Sequence, residues 1–269
     1  MDTLLHVLGT GNAMVTEVYN TCFVLENDRG LLMVDAGGGN GILRQMKDAG
    51  LSFSRVHDLF ITHAHPDHLN GVVWVMRKIL SMVDSGRYEG TLTVWCHESV
   101  REGMAVICRL MLQQKLLKYV GTRVIFRDIR DGMEAEWLGM PVTIMDIRST
   151  KLTQFGFTLL LPDGKKLACL GDEPFNPACR EQVEGSRWLL CEAFCLKADA
   201  ERFRPYEKHH STAADAAVLA RELGVESLVL WHTEDETIAT RKASYTAEAG
   251  QYFPGRVYVP DDLETIRLT

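Results

Sequence analysis

Short apolar runs separated by turn residues fill the first part of the chain. Residues 4–8 alternate weakly and end in Gly9-Thr10-Gly11; runs 22–25 and 31–34 follow across Asn27-Asp28-Arg29-Gly30. That pattern predicts three strands joined by turns. The third ends in Asp35-Ala36-Gly37-Gly38-Gly39, a glycine run without the lysine of a P-loop or the spacing of a dinucleotide fingerprint. It reads either as simple turn chemistry or as close backbone approach to a site. Residues 42–49 predict a short helix stopped by Gly50, and 56–62 a buried strand. From 69 to 82 apolar residues recur at helical spacing, 92–95 is another strand, and 100–120 reads as one long helix with Met104, Ile107, Leu110, Met111, Leu116 and Leu117. Runs 124–126 and 141–147 predict strands, and 157–161 with 166–170 a hairpin across Pro162-Asp163-Gly164.

The second half places polar residues where strands end. Residues 167–170 lead into Gly171-Asp172, 188–190 into Cys191-Glu192, and 228–231 into His232. Strand ends are where an α/β fold gathers its chemistry. Between the last two lies His209-His210-Ser211-Thr212, opening a helix over 213–223 that stops at Gly224. Ser211 or Thr212 is its expected N-cap, where free amides and the helix dipole favour either a plain cap or a bound anion such as a substrate phosphate. No low-complexity linker interrupts the 269 residues, so one domain over 1–269 is expected.

Composition narrows the class. Apolar and charged fractions of 46% and 24% are those of an ordinary globular protein. No apolar run is long enough for a membrane span, and the N-terminus lacks a basic start with a long apolar core, so a cytoplasmic protein is expected. The seven cysteines, an odd number without zinc-ribbon spacing, point to reduced thiols. A net charge of -7 argues against a broad nucleic-acid surface, although a local basic strip is compatible with it.

The densest chemistry is Thr62-His63-Ala64-His65-Pro66-Asp67-His68. It follows the predicted strand and so occupies a strand-to-helix turn. Alternation in an extended backbone sends His63 and His65 to one side, and the turn at Pro66 brings Asp67 and His68 from another direction. One segment thereby offers two ligand pairs, with the imidazole and carboxylate donors that bind zinc and similar divalent ions.

These residues carry a resemblance. His63-x-His65-x-Asp67-His68, the later Gly171-Asp172, the late His232 and the Asp35 glycine turn resemble the metallo-β-lactamase fold superfamily over essentially the whole chain. Glu192-Ala193 and His210-Ser211-Thr212-Ala213 look like its ribonuclease Z branch. The resemblance implies an α/β fold, the αββα metallo-β-lactamase sandwich of two mixed sheets flanked by helices, with a dinuclear zinc site cleaving phosphodiesters. It assigns His63 and His65 to one metal, Asp67, His68 and His232 to the other, and Asp172 as the bridge. It also makes Asp67, Glu192 and His210 a proton relay. Residue types agree with that chemistry, since two metals activate water near neutral pH and hold both the attacking and departing oxygens. Zinc is expected as one or two ions, and manganese or iron suits the same donors.

Two departures from the pattern stand out. Where the family has a further histidine ligand, the aligned stretch Asp146-Ile147-Arg148-Ser149-Thr150 has Arg148, which cannot ligate. That residue therefore suggests an impaired first metal site, or a grip on a phosphate oxygen. Cys191 replaces the histidine before the glutamate and is either a packed apolar residue or a soft ligand. The chain also lacks the glycine- and proline-rich arm that clamps transfer RNA. The leading expectation is a metal-dependent phosphodiesterase acting on small cyclic or nucleotide phosphodiesters. The alternatives are hydrolysis of a lactone, thioester or sulfate ester, and a non-catalytic metal-binding relative. RNA is disfavoured by the acidic charge, a membrane partner is not expected, and a homodimer contact through the helix at 100–120 stays open.

Overall fold

The computed structural model describes residues 2–269. Among the described residues, fourteen strands form two seven-stranded sheets. The first has the order β14-β1-β2-β3-β4-β5-β6, from β1 (Leu4–Gly9), β2 (Cys22–Asn27), β3 (Gly30–Val34), β4 (Val56–Phe60), β5 (Leu92–Cys96), β6 (Val124–Asp128) and β14 (Thr265–Arg267). The second runs β13-β12-β11-β10-β9-β8-β7, from β7 (Met133–Trp137), β8 (Met140–Asp146), β9 (Phe155–Leu160), β10 (Lys166–Cys169), β11 (Trp188–Glu192), β12 (Ser227–Trp231) and β13 (Arg256–Tyr258). Both are mixed: β3 to β6 and β10 to β13 run parallel, while the remaining neighbours pair antiparallel. The predicted hairpin is β9 and β10, with Lys166 opposite Leu160.

Alternation along the strands sorts side chains into three apolar layers. Leu5, Phe23, Leu32 and Phe60 face Trp137, Phe157, Leu190 and Trp231 between the sheets. The opposite face of the first sheet carries Leu31, Met33 and Leu59 against the helices α1 (Gly41–Asp48), α3 (Val72–Asp84) and α4 (Glu98–Met111). The outer face of the second sheet, with Leu189, Cys191 and Leu230, packs on α8 (Ala213–Glu222) and α9 (Arg241–Ala249). Helix, sheet, sheet, helix is the resulting order, the αββα sandwich. Each fully buried Leu, Val or Phe contributes about 1.5–3 kcal/mol, and these layers hold most of them. Four single-turn helices lie at loop positions: α2 (Pro66–Leu69), α5 (Gln114–Leu117), α6 (Arg180–Val183) and α7 (Ala200–Phe203).

The long helix predicted over 100–120 is two helices, α4 and α5, parted by extended backbone at Leu112 and Gln113. Its buried residues Val100, Met104, Cys108, Leu112 and Leu116 recur every fourth position. In a continuous helix that spacing rotates the apolar face by about 40° per step, which would turn Leu116 away from the core. The break resets the drift. Among the described residues no helix is long and apolar enough to cross a membrane.

Candidate metal centre

The candidate site residues collect where parallel strands of both sheets end. His63 and His65 follow β4, Asp35 follows β3, Asp172 follows β10, Glu192 closes β11 and His232 follows β12. The strand-to-helix turn is as the sequence predicts. His65 is extended (ψ 147°) as the residue before a proline tends to be, and it N-caps the one-turn helix α2, which starts at Pro66 and carries Asp67 and His68.

Asp172 sits at the centre. Its Oδ2 lies 3.4 Å from His63 Nε2, 3.9 Å from His65 Nδ1, 3.5 Å from His68 Nε2 and 3.5 Å from His232 Nε2. Asp67 Oδ2 lies 3.3 Å from His68 Nε2 and 3.5 Å from His232 Nε2. The donor atoms form two groups, His63 with His65 and Asp172, and Asp67 with His68 and His232. A third group joins Glu192, His210 and His232. The sequence-predicted ligands are therefore brought together in the two predicted sets.

The surroundings fix how the imidazoles point. A carboxylate only accepts, so His68 donates from Nδ1 to Asp35 Oδ2 at 2.7 Å and turns Nε2 to the site. Thr62 donates from both its amide (2.8 Å) and its hydroxyl (2.7 Å) to the same Asp35. Its hydroxyl oxygen is thereby left to accept from His63 Nδ1 at 2.8 Å. One carboxylate thus sets an imidazole in each set, directly for His68 and through Thr62 for His63. Asp35 holds a left-handed backbone (φ 55°), as does His232 (φ 57°), conformations that cost of order 1–3 kcal/mol each away from glycine. The glycine run after Asp35 is a close approach: Gly37 has φ 69° under the Tyr19 ring, and a Cβ at Gly71 would come within 1.8 Å of the Ala36 carbonyl oxygen.

Charge follows the same arrangement. Burial raises the Asp67 and Asp172 carboxyls, but the imidazoles that face them, His232 and His68 at Asp67 and His63 foremost at Asp172, outweigh it and hold both below the usual carboxylate range. Burial lowers His63, against the pull of Asp172. The carboxylates around His68, Asp35 foremost, outweigh its burial and raise it well above the usual imidazole range; a divalent ion needs neutral imidazole and ionised carboxylate, so binding one would displace that proton. The Nε2 atoms of His68 and His232 are buried, face the two carboxylates and make no hydrogen bond. A bound cation would satisfy both, so these residues fit a metal.

His210 lies beside the centre, its Nδ1 3.6 Å from Glu192 Oε2 and its ring stacked on Phe194 at 5.0 Å and 10°. Glu192 is fixed through Oε1, which accepts from the Ser211 amide at 2.6 Å and from the Ser211 hydroxyl. Asp67 reaches this pair through His232, whose ring centroid is 5.2 Å from that of His210. His65, Asp67, Asp172, Phe194, His210 and His232 open on a cavity of about 430 Å³ lined also by Asn12, Met14, Lys151 and Phe203.

Four residues that the sequence left with more than one reading are placed by the structure. Arg148 is exposed and pairs with Asp131 at 2.6 Å and Asp146 at 3.2 Å, away from the cavity. The residue of that loop that meets the centre is Gln154, whose Nε2 donates to Asp172 Oδ1 at 2.5 Å. Ser211 is spent on Glu192 rather than on an anion. Thr212 caps α8 in a capping box with Asp215, and the amides of Ala213 and Ala214 already donate to Cys195 O and Glu248 Oε1. That helix terminus therefore has no open anion site. Cys191 is buried with its thiol pushed up by burial, on the helix side of the second sheet, so it packs rather than ligates. Sequence reasoning missed Thr62 and Gln154, for which the chain gives no signal, and undervalued Asp35, a strand-end carboxylate before a glycine run.

The sequence profile of one family, described as anti-Pycsar protein Apyc1, matches residues 3–245. A Ribonuclease Z of Bacteroides fragilis (strain YCH46) is 25% identical over 312 aligned residues, spanning 96% of this chain and 97% of that one. Among solved structures, the metallo-beta-lactamase fold protein YhfI from Bacillus subtilis superposes with a TM-score of 0.80 at 14% identity, covering 99% of this chain and 100% of its own. The short form of human tRNase Z does so with 0.76 at 19% identity, covering 99% of both. At such identities the superpositions speak for the fold, the metallo-β-lactamase sandwich.

Proposed function

The chain belongs to the anti-Pycsar protein Apyc1 family, and from that premise we propose that this metal-dependent hydrolase cleaves small nucleotide phosphodiesters, cyclic ones included, in preference to folded RNA. The observation that carries the reading is the convergence of two unpartnered buried Nε2 atoms, on His68 and His232, upon Asp67 and Asp172, with His210 and Glu192 alongside. His63, His65 and Asp172 would hold one ion, and Asp67, His68, His232 and the shared Asp172 the other. Zinc suits these donors, as do manganese and iron. When bound, the ions supply Lewis acidity for the phosphoryl oxygens and lower the pKa of water.

The chain's own groups do the rest. Asp35 and Thr62 hold the imidazoles in the tautomers that present Nε2. His210 carries a proton to the departing alkoxide, and Glu192, anchored through Ser211, steadies the charged imidazole while it does so. Asp67 joins this relay through His232. The cavity admits one nucleotide-sized ligand, and the charge of -7 opposes a polyanion; both favour a small diester over RNA.

Turnover of bis(p-nitrophenyl) phosphate is expected to require added divalent metal and to fall roughly 10²- to 10⁴-fold in His210→Ala, the usual size of a general-acid contribution, with metal content kept. Equal activity in that variant removes the relay. A 3′,5′-cyclic nucleotide should be cleaved and precursor transfer RNA left intact; the reverse preference overturns the substrate class.

A further inference from the structure

Two lysines outside every recognised motif, Lys151 and Lys208, line the cavity in front of the metal centre. Their loops are built to hold them there. Lys151 lies between β8 and β9 on a turn pinned to Glu173, the buried residue that follows Asp172. Glu173 accepts from the Ser149 hydroxyl at 2.7 Å and from the Thr150 amide at 3.4 Å, with Lys151 Nζ 4.0 Å away.

Lys208 comes from the segment after α7, which bends through left-handed backbone at Arg204 (φ 49°) and His209 (φ 56°). Its Nζ stands 4.7 Å from the centroid of Phe194, the ring that also stacks on His210. The two loops are joined by Thr150 Oγ1 and His209 Nδ1 at 3.1 Å. Nearby arginines are committed elsewhere, Arg148 to Asp131 and Asp146, Arg202 to Glu236. Two cations thus stand at one cavity mouth whose carboxylates, Glu234, Asp235 and Glu236, are tied to Thr237, to the amides of Thr16 and Glu17 and to Arg202, beside an apolar wall that includes Phe203 and the largely exposed Met14. Cations next to an apolar wall match an anion that carries a base, not a bare phosphate.

We propose that Lys151 and Lys208 form a grip for the diester phosphate of a single nucleotide, a monoanion such as a 3′,5′-cyclic nucleotide, held against the metal centre. Glu173 is the positioning residue for Lys151. The proposal rests on the phosphodiesterase reading above, and its test separates the two.

Lys151→Met, Lys208→Met and the double variant are compared with the wild type in two measurements. One is equilibrium binding of a non-hydrolysable phosphorothioate 3′,5′-cyclic nucleotide; the other is kcat and KM on the hydrolysable nucleotide. Each single substitution is expected to raise Kd and KM roughly tenfold, the size of one charge-assisted hydrogen bond at a partly exposed site. The double variant should raise them further still. Throughout, kcat should stay within about twofold and the metal content unchanged, since neither lysine touches a ligand; a group that strengthens ground and transition state alike moves KM and not kcat. Wild-type binding should weaken with added salt, and the double variant should lose most of that dependence. Lys208→Arg should restore part of the affinity that Lys208→Met loses. Hydrolysis by the wild type with Kd and KM indifferent to both lysines overturns the grip alone. Lysine-dependent binding by a wild type that cleaves no diester overturns the phosphodiesterase reading and leaves the grip standing.

Discussion

The two candidate ligand sets are built from neighbouring residues yet supported differently. In the second set His68 and His232 are almost fully buried, and His68 donates straight to Asp35. In the first set His63 is buried but reaches Asp35 only through the Thr62 hydroxyl, and the side chain of His65 is 28% exposed. A ligand held by a buried carboxylate loses little freedom on binding a cation, whereas one at the cavity edge competes with water. The second set should therefore bind its ion more tightly. The first should be the more readily exchanged, because its His65 is the most exposed of the four imidazoles.

Removing the shared carboxylate should have the largest effect. Among the described carboxylates, Asp172, through Oδ2, is the one paired within 4 Å with imidazoles from both sets, so Asp172→Ala is expected to bring metal below one ion per chain and hydrolysis down by on the order of 10³-fold or more. Elemental analysis beside a rate on bis(p-nitrophenyl) phosphate checks it. Retention of two ions would mean that Asp172 bridges nothing.

A smaller pair of substitutions separates the sets. Asp35→Ala removes the partner of His68 and the anchor of Thr62 together, so both ions should bind roughly 10- to 100-fold more weakly, the usual cost of losing such an orienting partner. Thr62→Val removes only the link to His63. It should weaken the first ion by about tenfold and spare the second. Metal titration against a competing chelator reads the two affinities. Equal loss at both sites in Thr62→Val would show that the two sets are not independently supported.

The sequence made some of this legible. The histidine cluster declares itself because candidate ligands of one site fall within six residues on a turn whose geometry proline dictates, and Asp172, Glu192 and His232 can be found because they end apolar runs. Orienting partners are less visible. Thr62 and Gln154 act through hydrogen bonds that only the three-dimensional register of β4, β9 and β10 creates, and any polar residue looks alike at such positions in a sequence. The short strands β13 and β14, three residues each, carry too few alternating positions to register as strands. The helix break at Leu112 escaped for a different reason: a fourfold apolar repeat looks helical until its drift is followed over several turns.

Arg148 marks the finest distinction, because alignment by sequence puts it where a first-set ligand is expected. Its backbone turns through φ 59°, its amide bonds to Asp146 Oδ1 at 2.8 Å, and its guanidinium is drawn to two surface carboxylates. The left-handed turn directs the chain outward, and the next stretch returns inward to place Lys151 at the cavity and Gln154 on Asp172. Arg148→Ala should then leave metal stoichiometry, kcat and KM at wild-type values and change stability by no more than about 0.5–1 kcal/mol, as exposed ion pairs do. Arg148→His should likewise add no metal. A gain of metal in that variant would show that the loop can bring position 148 into the first set, and the first set would then be one ligand short rather than merely more exposed.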